Sequence, residues 1–339
     1  MNMCIELAKN GIGKTSPNPL VGCVVLNADN EIISTGFHAK AGENHAERDA
    51  LLKITPDMAK GGTLVVNLEP CSHWGKTPPC TDLIIEYGIK TVLIGMTDPN
   101  PEVDGITKLK QAGINVITGV LEDKCRDLNE IFIVNQTQKR TFVALKTAAT
   151  LDGKIATSTG SSKWITSVDA RAEGKKIRAK YDAILTSSST VEADNPQMLH
   201  SKKIILDRNL TLNADYDIFK QGKCFVYYDE NLNTSSTNGI IYVKTPLKDG
   251  MLDMEFILKD LYKKGIMSIL AEAGGILNGS FLTYCDKIYS FIAPKILADN
   301  NGKSSFSGRT ITDINNTEQF KFVEIKQFEN DILCVLKRK

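Results

Sequence analysis

The chain alternates between apolar, β-branched runs and segments whose apolar positions recur at helical spacing. LVGCVVLN (20–27) and EIISTGF (31–37) are split by Ala-Asp-Asn and predict a hairpin. NHAERDALLKI (44–54) changes to helical spacing, with Asn44 as candidate N-cap and Ala46, Ala50 and Leu51 on one face. GGTLVVNLEP (61–70) predicts a buried strand closed by a proline. CTDLIIEYGIK (80–90) predicts a second helix, with Leu83, Ile84 and Tyr87 inward and Gly88 as its stop. TVLIGM (91–96) is a strand, DPNP a turn, and GITKLKQAGINVITGVL a helix followed by a strand. Strands alternating with helices predict an α/β domain.

NEIFIVNQTQKRTFVALK (129–146) sets a polar stretch between two apolar runs, so the domain boundary is expected there, giving domains 1–140 and 141–339. The second half repeats the alternation. Strands are expected at YDAILTSSS, KIILD, KCFVYY, GIIYVKT, IMSILAEAGG and KIYSFIAPKIL, and helices at MEFILKDLYKKG and LNGSFLTYCD. DENLNTSSTNG (229–239) predicts an exposed loop.

Composition narrows the partners. The 339 residues suit two domains, and 41 basic against 40 acidic residues leave a net charge of +1. Proteins that grip phosphate backbones carry a basic excess, so no nucleic-acid partner is expected, although a local basic pocket remains open. No apolar run has the ~18–20 residues of a membrane span. MNMCIELAKNGIGKT lacks the core and cleavage site of a signal peptide, so a cytoplasmic protein without a membrane partner is expected. Cys4, Cys23, Cys125, Cys224, Cys285 and Cys334 stand singly among apolar neighbours, as small buried thiols of a reducing cytosol.

The other two cysteines lie in LEPCSHWGKTPPC (68–80), with eight residues between Cys71 and Cys80. A disulfide needs an oxidising compartment that nothing else in the chain supports. A metal gains from HAE at 45–47, because one histidine and two thiolates suit Zn²⁺ with a fourth position for water. His-x-Glu on one helix and Pro-Cys ahead of the next is the signature of zinc deaminases, although their cysteines usually stand two residues apart. His45 and Glu47 are expected in the first turn of one helix. Cys80 is expected to open the next, where the dipole favours a thiolate. His45, Cys71 and Cys80 would hold zinc, which makes hydroxide accessible near neutral pH. Glu47 would move protons from water to the ring nitrogen and the departing amine. His73 as a fourth ligand would close the catalytic position, so it reads as a substrate or packing residue. Trp74 reads equally as a stacking surface or as loop packing.

TSPNPLVGCVV, HAERDAL, LEPCSHWGKTPPC and DPNP together resemble the deaminase domain of the bifunctional riboflavin-biosynthesis deaminase–reductase family, in which a long PCSHxGxTPPC loop is usual. The resemblance covers nearly all of the N-terminal half and implies a cytidine-deaminase-like α/β/α domain. It implies that Asn18 hydrogen-bonds the pyrimidine and that His38 and Lys76 line the same pocket. Asn18 could otherwise be a simple turn residue.

ATLDGKIATSTGSSKWIT and AEAGGILNGSF resemble the reductase domain of the same family, which implies a dihydrofolate-reductase-like α/β fold using NADPH. Gly-rich turns before helices can hold phosphate, but Gly274-Gly275 lacks the GxGxxG pattern and equally suits a tight turn. By resemblance Ala148, Trp164, Thr190, Asp194, Gly274, Gly275, Ile276, Leu277, Asn278, Gly279 and Ser280 would line the NADPH site. Ser162, Arg178, Met198 and Glu272 would face the substrate. Arg178 suits a ribose phosphate because guanidinium binds phosphate bidentately; the alternative is a solvated helix face. Lys146 and Asp194, expected at strand ends, would orient or protonate the sugar, and Asp152 reads as a turn residue. The family continues ADNPQML with Thr-x-Arg, whereas HSKKIILDR follows here, with Ser201 near the missing arginine. Lys202 or Lys203 would substitute for it, and Arg208 would meet the 2′-phosphate of NADPH.

The resemblance implies a homodimer or higher homo-oligomer with two consecutive activities of flavin biosynthesis. These are hydrolytic deamination of a phosphoribosylaminopyrimidine and reduction of its ribosyl chain to ribityl. A tRNA-editing deaminase would need a basic face and stacking aromatics, and only 7% of residues are aromatic. A deaminase with an inactive second domain is the other enzymatic alternative. A non-catalytic zinc protein would have no use for Glu47.

Overall fold

The computed structural model describes residues 1–75, 78–237 and 239–339. The chain forms two compact units, Met1–Lys139 and Arg140–Lys339.

In the first unit, α1 (Asn2–Ala8) precedes the hairpin β1 (Gly22–Leu26) and β2 (Ile32–Phe37). Next come α2 (Ala46–Leu51), α3 (Pro56–Ala59), β3 (Thr63–Leu68), α4 (Cys80–Glu86), β4 (Thr91–Met96), α5 (Gly105–Gln111), β5 (Asn115–Ile117), α6 (Glu122–Leu128) and α7 (Glu130–Gln138). The sheet runs β2-β1-β3-β4-β5; β1 is antiparallel to both neighbours, and β3, β4 and β5 are parallel. Alternation along β1 and β3 sends Cys23, Val25, Leu64 and Val66 toward α2 and α4, where Ala46, Ala50, Leu51 and Ile84 are fully buried. Val24 and Val65 face the other way, onto Cys4 of α1, which makes three layers. Gly36 permits the close approach of α2 to the sheet, since a Cβ there would lie 2.4 Å from the Ala46 carbonyl oxygen. That approach sets the start of α2, where the chemistry lies.

The second unit contains β6 (Phe142–Thr150), β7 (Lys154–Ala156), α8 (Val168–Arg178), β8 (Ala183–Ser187), α9 (Ser188–Asp194), β9 (Lys202–Leu206), β10 (Lys223–Asp229) and β11 (Ile240–Thr245). It continues with β12 (Leu247–Lys248), β13 (Met251–Leu252), α10 (Met254–Lys263), β14 (Ser268–Ala271), α11 (Gly275–Phe281), β15 (Lys287–Ala293), β16 (Lys303–Ser304), β17 (Phe320–Phe328) and β18 (Asp331–Arg338). The main sheet runs β11-β10-β9-β8-β14-β6-β15-β18-β17, parallel from β11 to β15 and antiparallel in the last two pairings. The central strands β6, β8 and β14 are nearly continuous apolar runs, as burial on both faces requires. Asp253 caps α10 by accepting the N–H groups of Glu255 and Phe256, and Ile257, Leu258 and Leu261 pack against Val143 and Leu145. Because the strands are parallel, the C-terminal ends of β6, β8, β14 and β15 open on one edge, the place where open α/β sheets receive ligands.

Candidate active sites

His45 is the N-cap of α2, so the helix starts one residue later than Asn44 as cap would place it. Cys71 follows β3 after Glu69 and Pro70, and Cys80 is the fully buried first residue of α4. Nδ1 of His45 lies 3.5 Å from Sγ of Cys71 and 3.6 Å from Sγ of Cys80. The three donor atoms all fall within 4.8 Å of one another. A tetrahedral zinc with bonds of about 2.05 Å to nitrogen and 2.3 Å to sulfur sets N···S edges at about 3.6 Å. The donor set therefore fits Zn²⁺ in both chemistry and spacing, and three protein donors is the count of a catalytic site. Cys71 is held by its neighbours: the Cys80 N–H donates to its Sγ at 3.3 Å and the Thr81 N–H to its carbonyl at 3.2 Å. Hydrogen bonds from Cys80 and His45 pull the Cys71 thiol well below its ordinary range. All eight cysteines are free, and His73 is exposed outside the cluster.

Glu47, in the first turn of α2, is only 3% exposed. Burial, aided by the nearby Cys71, pushes its carboxyl up to about 7, where a proton is gained and lost readily at neutral pH. His38 is 2% exposed, and its Nδ1 lies 2.9 Å from the Asn44 carbonyl. A carbonyl accepts only, so Nδ1 carries the proton and Nε2 accepts from Nδ2 of Asn18 at 3.0 Å. Burial pushes His38 down, which keeps it neutral in that role. The His38 ring meets His45 edge-on at 5.6 Å between centroids, so Asn18 and His38 adjoin the metal cluster. Lys76 lies outside the described residues. Two features escaped the sequence reasoning. Arg48 lies three residues beyond His45 on α2 with its Nε buried and unpartnered among the described residues; the hydrogen bond with Cys71 and burial push the Cys80 thiol up, and the Arg48 charge only partly opposes them. Glu69 accepts the N–H groups of Asp98 and Ile106 at 3.1 and 3.0 Å, which pins the Asp-Pro-Asn-Pro turn behind Cys71.

In the second unit Lys146 lies within β6 and Asp194 is the exposed last residue of α9, so neither stands at a strand end as expected. The hydroxyl-rich segment after β8 winds into helix because the Ser187 side chain caps it, accepting the Thr190 N–H. Arg178 ends α8 and is not a solvated helix face: its Nε and Nη2 donate to Glu272 Oε1 and Oε2 at 2.5 and 2.8 Å. Lys146 Nζ stands 3.5 Å from the same Oε2. Burial would push the Glu272 carboxyl up, but Lys146 and Arg178 outweigh it and hold it below the usual carboxylate range.

The Gly-rich turn divides in two. A Cβ on Gly275 would lie 2.1 Å from the Ser304 carbonyl oxygen, and one on Gly279 2.0 Å from that of Ser307. These glycines let α11 pack on the 304–307 segment and do not form an outer surface. Asn278 is likewise buried, donating to the Ala273 and Ser305 carbonyls at 3.2 and 2.9 Å. At Gly274 a Cβ would meet nothing within 4 Å, so its backbone faces the open space that an approaching cofactor needs. Ile276 is exposed, while Leu277 and Ser280 are half-buried. Ser162 and the exposed Trp164 line a cavity of about 380 Å³ with Lys154, Lys163 and Lys295. Ala148, Thr190 and Met198 are half-buried on β6, α9 and the chain after it. Asp152 is a turn residue that ties Leu297 and Ala298, accepting both N–H groups. Lys203 is 1% exposed and its Nζ donates to the Ile218 carbonyl, so it cannot stand in for the missing arginine. Lys202 is half-buried, and Arg208 is exposed, donating to Asn209 and the Gly250 carbonyl.

Residues 1–96 match the cytidine and deoxycytidylate deaminase zinc-binding region, and residues 141–334 match the RibD C-terminal domain. The riboflavin biosynthesis protein RibD of Actinobacillus pleuropneumoniae is 39% identical over 98% of this chain and 93% of its own. The chain belongs to the RibD family. The RibD of Escherichia coli is 36% identical, covering 98% of this chain and 96% of its own. A solved structure from Thermotoga maritima, a diaminohydroxyphosphoribosylaminopyrimidine deaminase/5-amino-6-(5-phosphoribosylamino)uracil reductase, has a TM-score of 0.90 at 40% identity and covers 100% of this chain and 97% of its own. The protein is thus a bifunctional enzyme of riboflavin biosynthesis, a zinc-dependent deaminase joined to an NADPH-dependent reductase. The first unit has the cytidine-deaminase-like fold and the second the dihydrofolate-reductase-like fold. Among the described residues no helix is long and apolar enough to cross a membrane.

Proposed function

We propose that the first unit deaminates 2,5-diamino-6-(5-phosphoribosylamino)pyrimidin-4-one and that the second reduces the product to 5-amino-6-(5-phosphoribitylamino)uracil. The observation that carries this is the convergence of His45, Cys71 and Cys80 at tetrahedral spacing beside the buried Glu47. Zinc held by these three residues would supply an acidified water as nucleophile. Glu47 would take a proton from that water as its oxygen adds to the amino-bearing ring carbon, and would return the proton to the pyrimidine ring nitrogen. A second transfer through the same carboxyl loads the amino group, the C–N bond breaks, and ammonia leaves as the carbonyl forms. Asn18, its amide oriented by His38, hydrogen-bonds the pyrimidine.

In the second unit NADPH supplies the hydride. Gly274 would receive its phosphates, and Trp164, which lines the cavity, and Ala148 on β6 would border its nicotinamide ring. Lys146 gives a proton to the ribose ring oxygen as the C1′–O4′ bond breaks and the exocyclic nitrogen lone pair forms C1′=N. Bound NADPH would supply the hydride that C1′ accepts as the electron pair returns to nitrogen. Met198 and Ser162 border the sugar, Lys202 serves its phosphate, and Asp194 and Arg208 flank the cofactor. The enzyme works as a cytoplasmic homo-oligomer on a small molecule, without nucleic acid. Eight free cysteines suit that compartment, and the exposed Phe322 and Ile325 of β17 suit a subunit contact.

One incubation tests the reading: zinc-loaded protein, the diaminopyrimidine substrate and NADPH, with ammonia and nicotinamide absorbance followed together. Ammonia release followed by NADPH loss is expected. Ammonia without NADPH loss would refute the reductase half, and neither signal would refute both.

A further inference from the structure

We propose that Lys203 and Cys224 are a redox-sensitive pair that closes into a covalent nitrogen–sulfur cross-link when the thiol meets hydrogen peroxide.

The sheet brings the two side chains together. β9 and β10 run in parallel with Cys224 opposite Lys203, so both side chains leave the same face of neighbouring strands, about 4.8 Å apart. The turn Asp217–Phe219 covers that face, and Ile205, Ile218 and Val226 make an apolar cluster around the thiol. Lys203 is 1% exposed and Cys224 is fully buried. Both reach one acceptor: the Lys203 Nζ and the Cys224 Sγ donate to the same Ile218 carbonyl oxygen, the sulfur at 3.3 Å. Two donors on one oxygen put nitrogen and sulfur side by side.

A lysine this deep ordinarily has a carboxylate beside it, because an unpaired ammonium is costly to bury. Among the described residues no carboxylate pairs with Lys203, and Cys224 is the one ionisable group that bears on it. The reverse holds for the thiol. Burial pushes the amine down and the thiol up, which favours the uncharged form of both. An uncharged amine keeps its lone pair, so it can act first as a base and then as a nucleophile. Burial also selects the oxidant: a disulfide cannot reach the thiol, whereas hydrogen peroxide is little larger than water.

The Lys203 Nζ takes the thiol proton as Sγ attacks one peroxide oxygen. The O–O bond breaks, and the leaving hydroxide collects that proton as water. Sulfur has lost two electrons and stands as a sulfenic acid, which condenses with a neighbouring nitrogen. The Nζ lone pair attacks Sγ, the N–S bond forms and the S–O bond breaks, and hydroxide leaves as water with a proton from nitrogen. Amine, thiol and one hydrogen peroxide thus give a sulfenamide and two waters, and a cellular thiol reverses the link.

The test treats the zinc-loaded full-length enzyme with hydrogen peroxide, blocks free thiols with N-ethylmaleimide and digests with trypsin. A linked Lys203 resists cleavage, so peptides 203–208 and 224–244 should appear joined, two hydrogens lighter than their sum. Dithiothreitol before digestion should separate them. The link closes the loop 204–223, about 20 residues, and should raise Tm by roughly 6–12 °C over the same sample after dithiothreitol. Cys224 that stays open to alkylation, or that holds added oxygen while trypsin still cleaves after Lys203, would overturn the pair. That result is read on wild type alone, so it stands even if a variant fails to fold. The joined peptides should vanish in Lys203→Met and in Cys224→Ser, and their survival in either would mean that other residues are linked. A link found only in protein whose melting transition is lowered would show that it forms in the unfolded chain, and would overturn the native site.

Discussion

Two adjacent glycines should respond to the same methyl group in opposite ways. In Gly275→Ala the new Cβ would stand 2.1 Å from the Ser304 carbonyl oxygen and 2.9 Å from Oγ of Ser307. Carbon and carbonyl oxygen settle at about 3.3–3.6 Å, so one backbone must retreat by more than about 1 Å. Overpacking of this kind costs about 1–3 kcal/mol, and a backbone obstacle places it at the upper end. For a unit of this size each kcal/mol moves Tm by roughly 2–4 °C, so a fall of roughly 6–12 °C is expected. In Gly274→Ala the methyl meets nothing within 4 Å, and φ −70°, ψ 166° suits any residue. Lower entropy of the unfolded chain should leave that variant unchanged or up to about 1 kcal/mol more stable. The same methyl occupies the space proposed for the NADPH phosphates, and a clash of about 1.4 kcal/mol weakens binding tenfold. Calorimetry and a fluorescence titration with NADPH separate the two effects. Wild-type NADPH affinity in Gly274→Ala would refute the placement of the cofactor, and a wild-type Tm in Gly275→Ala would refute the packing argument.

Glu47→Gln should lower ammonia release by about 10²–10⁴-fold while zinc content, measured by metal analysis, stays at one per chain; loss of zinc with activity would mean that Glu47 is structural. Lys203→Met should raise Tm by roughly 2–8 °C, from about 1–2 kcal/mol, because it removes a buried amine while Cys224 still donates to the Ile218 carbonyl at 3.3 Å. The substrate KM should not move in that variant, and a rise would return Lys203 to the phosphate site. The Glu272 carboxyl is held below its unfolded value by Lys146 and Arg178 against the effect of burial, so its contribution to stability is complete above the ordinary carboxylate pKa of about 4.3 and is lost as pH falls through the lower folded value. Thermal melts from neutral to acid pH should therefore fall less steeply in Glu272→Gln than in wild type, and parallel curves would contradict the shift.

What the chain revealed of itself before folding depended on whether a residue's task is local. His45, Cys71 and Cys80 could be assigned from residue type, because few jobs besides a metal employ a histidine and two thiolates at helix starts. Their separation in sequence mattered less, since β3 and the openings of α2 and α4 bring all three together. In the second unit the contacts of a side chain were not legible wherever the deciding neighbour is remote. Lys203 sits in a run that looks like any strand start, and only the Ile218 carbonyl, on another segment, shows that its amine is used up. Gly275 and Gly279 matched a phosphate turn, yet what each excludes is a carbonyl near residue 304 or 307. Arg178 read as a phosphate partner or a solvated helix face, and its pairing with Glu272 was invisible because that residue lies 94 positions away. In each case a side chain with a generic local signature is consumed by one long-range contact. Gly274 is the converse: its surroundings give it no packing duty, and so a role toward a ligand is the reason left for a glycine there.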